Sequence, residues 1–202
     1  MGDSGLGESN NAASSNAASA VPVLLDEAAI AATVERLAAE ISADFSDGVV
    51  LAGVLRGSVP FLSDLARALT IRPLVDFLAL TPYAPNTGRV RMLKDLDIDI
   101  AGREVVIVED IVDTGLTTAF IVAEMQRRDP SRVSVCTFVD RPARRVVPVE
   151  LDHVGVQIPD QFVVGYGLDH EGRYRNARVL AVAEPEVLAR DPDAYVAALY
   201  PA

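Results

Sequence analysis

Uninterrupted apolar runs recur along this chain, and they limit its fold more than any other feature. Gly48–Leu55, Arg103–Val108 and Arg132–Val139 are apolar almost throughout, without the alternation of a half-solvated strand. Such runs are typical of strands buried on both faces. Segments with helical spacing lie between them, which implies crossover connections. We therefore predict an α/β fold in which helices flank a mostly parallel β-sheet.

The remaining elements follow from spacing and from start and stop signals. In Leu25–Ser42 apolar residues recur every three or four positions, and Asp26 is a good N-cap. The other expected helices are Pro60–Leu69, Thr117–Arg128 and one near Pro185–Leu199. Further strands are expected at Val75–Leu80, Phe162–Tyr166 and Val179–Ala183.

The N-terminal residues differ in composition from the rest of the chain. Met1–Ala20 is small and polar, and such a segment cannot bury enough apolar surface to offset its conformational entropy. Hydrophobic residues make up 50% of the chain, so the remainder can form a substantial core. We expect residues 1–22 to be a disordered tail and residues 23–202 to form one domain.

The charge and the single cysteine restrict partners and compartment. Lys and Arg total 18 against 29 Asp and Glu, a net charge of −11, which disfavours nucleic acid and anionic membranes. No apolar run approaches the roughly 20 residues of a membrane span, and the N-terminus does not resemble a secretory signal. Cys136 is the single cysteine, so an internal disulfide is excluded. We expect a cytoplasmic protein that binds neither nucleic acid nor membranes.

The segment Val105–Thr117 is the most informative for function. A buried strand runs into Glu109 and Asp110, Asp113 follows, and a glycine turn then opens a helix. Parallel sheets bind ligands at the carboxyl ends of their strands, and a helix N-terminus attracts phosphate. The carboxylates can accept hydrogen bonds from sugar hydroxyls, directly or through a hydrated Mg²⁺. This pattern predicts a site for a phosphorylated sugar.

Other interpretations of the same residues are weaker. Solvated charges at a strand end would explain the acidic pair alone, but not the whole segment. The triplet Asp113-Thr114-Gly115 also occurs in aspartic proteases, which need a second such carboxylate, and the chain has no second copy. We find no Ser-His-Asp arrangement, and His153 and His170 do not suggest a zinc site.

Several segments together resemble one family. Val105–Thr117, VVIVEDIVDTGLT, is similar to the phosphoribosyl-diphosphate-binding motif of type I phosphoribosyltransferases. Residues 158–169, IPDQFVVGYGLD, resemble the purine-binding region of hypoxanthine-guanine phosphoribosyltransferases, and VLRGS at 54–58 also fits. The resemblance implies a type I phosphoribosyltransferase-like sheet with a small hood subdomain. The hood would comprise the N-terminal helix and the region about 153–180.

The resemblance also implies roles for individual residues. Asp113 would be the catalytic acid/base at purine N7. Phosphoribosyl-binding residues would be Glu109, Asp110, Asp113, Thr114, Gly115, Leu116 and Thr117. Pyrophosphate-binding residues would be Arg56, Gly57 and Arg175, with a cis peptide before Arg56. Purine-binding residues would be Arg141, Phe162, Val163 and Asp169, and the Mg²⁺ cofactor would be held by Glu109, Asp110 and Asp169.

Three positions depart from the family pattern. Arg141 and Arg56 stand where the family usually has lysine. In the loop Thr81–Arg91 the lid residue Tyr83 remains, but Pro82 replaces a serine and the loop looks shortened. We expect Arg141 to alter base choice, and we expect the altered lid to allow more hydrolysis of the donor.

The predicted activity is transfer of a phosphoribosyl group from phosphoribosyl diphosphate to a 6-oxopurine. Hypoxanthine and guanine, giving IMP and GMP, are the first choice, and a xanthine-preferring or broader enzyme is the alternative because of Arg141. A non-catalytic sensor of nucleotide or donor is the competing class. The family resemblance also implies a homo-oligomer, either a dimer or a tetramer.

Overall fold

A computed structural model describes residues 21–81 and 90–200 of the chain. Its main layer is a six-stranded sheet of order β4-β3-β2-β5-β6-β7. All neighbouring strands are parallel except β4, which pairs antiparallel with β3. The strands are β2 (Val50–Leu55), β3 (Leu74–Leu80), β4 (Met92–Lys94), β5 (Glu104–Val112), β6 (Arg132–Asp140) and β7 (His153–Gln157). The mostly parallel α/β sheet predicted from the apolar runs is confirmed.

Helices cover both faces of this sheet. The helices are α1 (Glu27–Asp44), α2 (Val59–Ala68), α3 (Leu116–Gln126), α4 (Pro185–Arg190) and α5 (Val196–Leu199). The predicted N-cap Asp26 accepts a hydrogen bond from the Ala29 N–H at 2.8 Å. One core cluster includes residues of α1 and α2, and a second cluster on the other face includes Ile121 and Met125 of α3. None of the helices in the described residues is long and apolar enough to span a membrane.

A second, three-stranded sheet has the order β1-β9-β8, and both of its strand pairs are antiparallel. Its strands are β1 (Val23–Leu25), β8 (Val163–Val164) and β9 (Leu180–Val182). The expected hood boundary was wrong for β7, which belongs to the main sheet because it pairs with β6. α1 packs in a core cluster that contains residues of both sheets, among them Leu51 and Leu180.

The expected tail of residues 1–22 also extended too far. Val21 is buried in a further core cluster with Val164 and Ala181 of the smaller sheet, and the Pro22 carbonyl accepts a hydrogen bond from the Val182 N–H at 2.9 Å. Both residues belong to the fold because they anchor the start of β1 against β9. Residues 1–20 lie outside the described part of the chain.

Some element boundaries differ from the sequence prediction. The C-terminal helix is divided into α4 and α5 because Pro192 lies between them, and proline disfavours continuation of a helix through the residue before it. The strand around Phe162 is reduced to β8, since Gly165, Tyr166 and Gly167 have positive φ angles and turn the chain. β5 continues through the acidic pair to Val112 because β6 pairs with it up to Asp140.

Candidate active site

The carboxyl end of β5 and the start of α3 enclose a cavity of about 210 Å³. Gly115 is the N-cap of α3, and its φ of 83° is a left-handed conformation that favours glycine. The first N–H groups of a helix have no partner within it, so this end of α3 can receive an anion. The cavity is lined by Glu109, Asp110, Ile111, Asp113, Thr114, Gly115, Thr117 and Thr118. The structure therefore brings together most of the predicted phosphoribosyl-binding residues.

Glu109 and Asp110 are carboxyl groups in an unfavourable environment. Burial, together with the nearby charge of Asp110, raises the pKa of Glu109 well above its ordinary value. Burial also raises the pKa of Asp110 to about 6, although backbone hydrogen bonds and Arg175 partly oppose the shift. Two such groups side by side favour a partner that brings hydrogen-bond donors or positive charge. Sugar hydroxyls and a hydrated divalent cation meet that requirement.

Asp113 does not stand free in the site. Arg141 donates from Nε to Asp113 Oδ1 at 3.1 Å and from Nη2 to Oδ2 at 2.8 Å. The Arg141 side chain is 7% exposed, and its third nitrogen donates to the Gln161 carbonyl. Arg144 lies farther off, with Nη1 4.0 Å from Asp113 Oδ2. The residue predicted to read the base is thus paired with the predicted acid/base.

The segment Arg56-Gly57 lies against the β5 carboxylates. The peptide bond between Leu55 and Arg56 is cis, as the resemblance implied. A Cβ atom at Gly57 would overlap Asp110 Oδ2, so a glycine is required for this approach. A Cβ atom at Gly167 would in turn overlap the Gly57 carbonyl oxygen. The backbone at Gly57 is therefore packed between Asp110 and the loop that contains Gly167.

Arg175 and Asp169 form an ion pair beside this loop. Arg175 Nη2 lies 2.6 Å from Asp169 Oδ1, and Arg175 Nη1 donates to the Gly167 carbonyl at 2.7 Å. Both residues influence the pKa of Asp110, so they lie within electrostatic range of the β5 end. This places the predicted pyrophosphate arginine and the predicted second magnesium contact on the same side of the site.

The carboxylates fit a magnesium ion that is held mainly by substrate and water. Within residues 21–81 and 90–200, no group of three or more Asp, Glu, His or Cys side chains converges as a ligand set. Glu109, Asp110 and Asp169 therefore do not form one shared metal cage. Mg²⁺ usually keeps several waters and takes one or two carboxylates together with substrate phosphates. The adjacent Glu109 and Asp110 and the separate Asp169 suit that mode of binding.

The segment predicted to bind the base is connected to Arg141 through Gln161. The next residue, Phe162, is half-buried and meets His170 edge-on, with ring centroids 6.1 Å apart. Val163 begins β8 and is buried. These residues are thus held by the smaller sheet, whereas the β5 residues belong to the main sheet. A base bound here would lie between the two sheets.

Other predicted and unpredicted features lie around this centre. The lid residue Tyr83 and Pro82 lie outside the described residues. The residues on the two sides of that segment, Thr81 and Arg91, are hydrogen-bonded to each other. The Thr81 N–H donates to the Arg91 carbonyl at 2.9 Å, and the Arg91 N–H donates to Thr81 Oγ1 at 3.0 Å.

A larger cavity of about 830 Å³ lies beside α1 and α2. Among the predicted site residues, Arg175 alone lines it.

Sequence reasoning missed Arg145, which contacts the main chain of Asp113. The arginine-rich segment VDRPARR was visible in the sequence. Its spacing, however, gave no indication of which carboxylate or carbonyl each arginine would meet.

Known proteins are similar to this chain in sequence. A family model described as "Phosphoribosyl transferase domain" matches residues 23–171. A hypoxanthine-guanine phosphoribosyltransferase of Bacillus subtilis (strain 168) is 38% identical over 169 residues, covering 82% of this chain and 94% of the relative. A hypoxanthine phosphoribosyltransferase of Escherichia coli (strain K12) is 41% identical over 162 residues, covering 77% and 91%.

The fold matches solved structures as well. A crystal structure of a Staphylococcus aureus hypoxanthine phosphoribosyltransferase superposes with a TM-score of 0.80 at 36% identity. The match covers 83% of this chain and 94% of that chain. The family model, the relatives and the solved structure agree, and the chain belongs to the phosphoribosyltransferase family.

Proposed function

We propose that this protein is a purine salvage enzyme that transfers the 5-phosphoribosyl group from phosphoribosyl diphosphate to hypoxanthine, guanine or both. The products would be IMP or GMP and diphosphate. One observation carries the proposal: Asp113 stands between a phosphate-sized cavity at the N-terminus of α3 and the base segment tied to Arg141. The donor phosphate and the acceptor base would therefore bind at separate sites, one on each side of the Asp113 carboxylate.

The 5-phosphate would bind at Asp113–Thr117, where the glycine turn and threonine hydroxyls provide donors. Glu109 and Asp110 would accept hydrogen bonds from the ribose hydroxyls. These contacts stabilise the ionised carboxylates, which burial disfavours. Donor binding would thus fix the sugar in line with the incoming base.

The diphosphate would leave on the side of Gly57, Asp169 and Arg175. The Arg175 guanidinium has two donors for a diphosphate, although in the free site it is paired with Asp169. Mg²⁺ would be held by donor oxygens and water near Glu109, Asp110 and Asp169, and it would neutralise charge on the leaving group. The sugar carbon becomes cationic as the bond breaks, and no covalent protein intermediate is required.

The Arg141–Asp113 pair gives a reason for selecting 6-oxopurines. Arg141 occupies one lone pair on each Asp113 oxygen, so it competes with the base for the carboxylate that would receive the N7 proton. A 6-oxopurine presents O6 next to N7, and the guanidinium can donate to O6 in exchange. Adenine presents an amino donor there, which would face the guanidinium unfavourably. This argument also supports xanthine as a further acceptor, so a broad 6-oxopurine enzyme is the second candidate.

The test is turnover with magnesium, phosphoribosyl diphosphate and each of hypoxanthine, guanine, xanthine and adenine, followed by absorbance. We expect nucleotide formation with one or more 6-oxopurines and almost none with adenine. Turnover of adenine alone would contradict the Arg141 argument. Protein that binds donor but turns over no base would instead be a sensor.

We also propose that the enzyme works in the cytoplasm, self-associates, and needs only residues 21–202 for activity. Cys136 is free and buried, which suits a reducing compartment. Light scattering of the purified protein would report its mass in solution. A chain shortened to begin at Val21 should retain activity, because Val21 and Pro22 contact the smaller sheet.

A further inference from the structure

The segment that follows β6 lies directly against the phosphate loop. The N–H groups of Val146 and Val147 both donate to the Thr114 carbonyl, at 2.9 and 3.0 Å. A Cβ atom at Gly115 would meet the Val147 carbonyl oxygen and, at 2.9 Å, Arg145 Cδ. The main chain of the loop therefore has its position set by residues 145–147, which do not line the cavity themselves.

Arg145 makes the most extensive of these contacts. Its Nε donates to the Asp113 carbonyl at 2.9 Å, and its Nη2 donates to the Val112 carbonyl at 3.3 Å. The same Nη2 pairs with Asp140 Oδ1, and Asp140 Oδ2 accepts from Gln157 Nε2 at 3.1 Å. Asp140 is 4% exposed. A chain of polar groups with the buried Asp140 at its centre thus extends from β7 to the main chain of Asp113.

We infer that Arg145 is a positioning residue for the reaction, acting through the main chain of Asp113 and the phosphate loop. This inference rests on the proposed function. β5 ends at Val112, so the carbonyls of Val112 and Asp113 lie where sheet pairing stops. The planar guanidinium reaches both carbonyls while Asp140 fixes its plane, which a lysine ammonium cannot reproduce. Arg145 thereby orients the Asp113 carboxylate toward the base and fixes the position of the donor-binding turn next to it.

A purely structural role would give a different set of effects. Asp140 and Arg145 are largely buried, and the loss of such a pair destabilises many proteins. A structural role alone would reduce the folded fraction, whereas the molecules that remain folded would keep their kinetic constants. A positioning role changes the kinetic constants of folded protein, with the larger change in the constants that depend on the donor.

The experiment compares Arg145→Ala, Arg145→Lys and the control Arg128→Ala in the full chain. Arg128 pairs with Asp95 at 2.7 Å and is 29% exposed, remote from the cavity. Each protein is assayed at a temperature where circular dichroism shows it folded. Donor binding is measured separately by calorimetry without base. The wild type in the same assays tests the proposed function on its own.

We expect Arg145→Ala to lower kcat/KM for the donor by about 100-fold, because a displacement near 1 Å at a reacting group has an effect of that order. The KM for the base should change by less than about threefold, since the Arg141 contacts remain. Added guanidinium at millimolar concentration should restore part of the rate of Arg145→Ala but not of Arg145→Lys. Arg128→Ala should resemble the wild type.

The inference is overturned if folded Arg145→Ala keeps wild-type constants, or if guanidinium restores nothing. If Arg145→Ala does not fold, Arg145→Lys becomes the test variant. Wild-type donor kinetics in Arg145→Lys would then overturn the inference. A wild type that binds donor but forms no nucleotide would contradict the proposed function instead. The two failures are therefore distinguishable.

Discussion

Arg141 engages both carboxylate oxygens of Asp113, at 3.1 and 2.8 Å, from a side chain that is only 7% exposed. The proposed acid/base group and the group proposed to read the base are thus paired before any ligand binds. A paired, planar geometry of this kind is available to arginine and not to lysine. Under the proposed function, recognition of the base by Arg141 would be coupled to proton transfer at Asp113.

The first prediction concerns this coupling. Arg141→Lys replaces a forked contact with a single ammonium, so the relative kcat/KM values for hypoxanthine, guanine and xanthine should shift. For at least one pair of bases, we expect the ratio of their kcat/KM values to change by about 10-fold. A change of that size is within the range of about 1–3 kcal/mol for a bidentate base contact. Steady-state kinetics with each base measures the shift. Unchanged ratios would remove Arg141 from the account of specificity, and Arg128→Lys serves as the control.

The second prediction concerns Asp113 itself. Asp113→Asn should keep the fold but reduce kcat by about 10²- to 10⁴-fold, the usual effect of losing a general acid or base. Arg141 would then be buried beside a neutral amide, so the free energy of unfolding should fall by about 1–3 kcal/mol. Single-turnover kinetics and urea denaturation measure the two effects. A rate near that of the wild type would exclude the acid/base role.

The third prediction concerns the pH dependence of donor binding. The pKa of Asp110 is raised to about 6, so this carboxyl becomes neutral as the pH falls through 6. The magnesium-bound donor should prefer the ionised form, and its KM should rise by up to about tenfold per pH unit below 6. The KM of Asp110→Asn should be higher at pH 8 and should vary less with pH. A KM independent of pH between 5 and 8 in the wild type would be inconsistent with this role.

The same shift has a consequence for stability, with a definite sign. A carboxyl whose pKa is higher in the folded protein stabilises it at low pH, and that contribution is lost as the pH rises from about 4 to about 6. At pH 8 the ligand-free protein therefore carries an unfavourable charge at Asp110. Asp110→Asn should raise the free energy of unfolding there by about 1–3 kcal/mol while impairing activity. Chemical denaturation at pH 5 and pH 8 tests this difference.

The fourth prediction concerns Gly57. A methyl group at this position would overlap Asp110 Oδ2, so Gly57→Ala should displace the carboxylate from the donor site. We expect kcat/KM for the donor to fall by about 100-fold, with a much smaller change in the KM of the base. Gly102→Ala is the control for an added methyl group away from the site, because its Cβ would have open space and the strain at its positive φ of 69° stays in a remote turn. Equal losses in both variants would argue against the steric explanation.

The layered sheet was predictable from sequence because it depends on strong local signals. The buried runs around Val50, Val105 and Arg132 and the N-cap Asp26 each determine an element without help from distant residues. The expected hood was less accurate. Whether β7 joins the main sheet depends on its pairing with β6, and its own residues do not reveal that partner.

The candidate site was predictable as a set of residues but not as a set of contacts. Glu109, Asp110 and Asp113 lie within five residues of one another in the sequence, so they had to be close in the fold. The pairing of Arg141 with Asp113 and of Arg145 with Asp140 depends on rotamers and on the path of the chain after β6. Sequence spacing alone does not specify either. Both arginines were visible as charges, but their partners became apparent only in the folded protein.

The pairing of β1 with β9, and of β9 with β8, bears on how the enzyme matures during translation. β5, β6 and the loop between them are synthesised well before β9, and domains tend to fold from the N-terminus as the chain emerges. The strand that begins at Val163 has no neighbour in its own sheet until Leu180–Val182 has been made. A nascent chain would thus acquire the phosphate loop of its site first, and the base segment with the residues Asp169 and Arg175 last, so premature termination would yield a protein with an incomplete site.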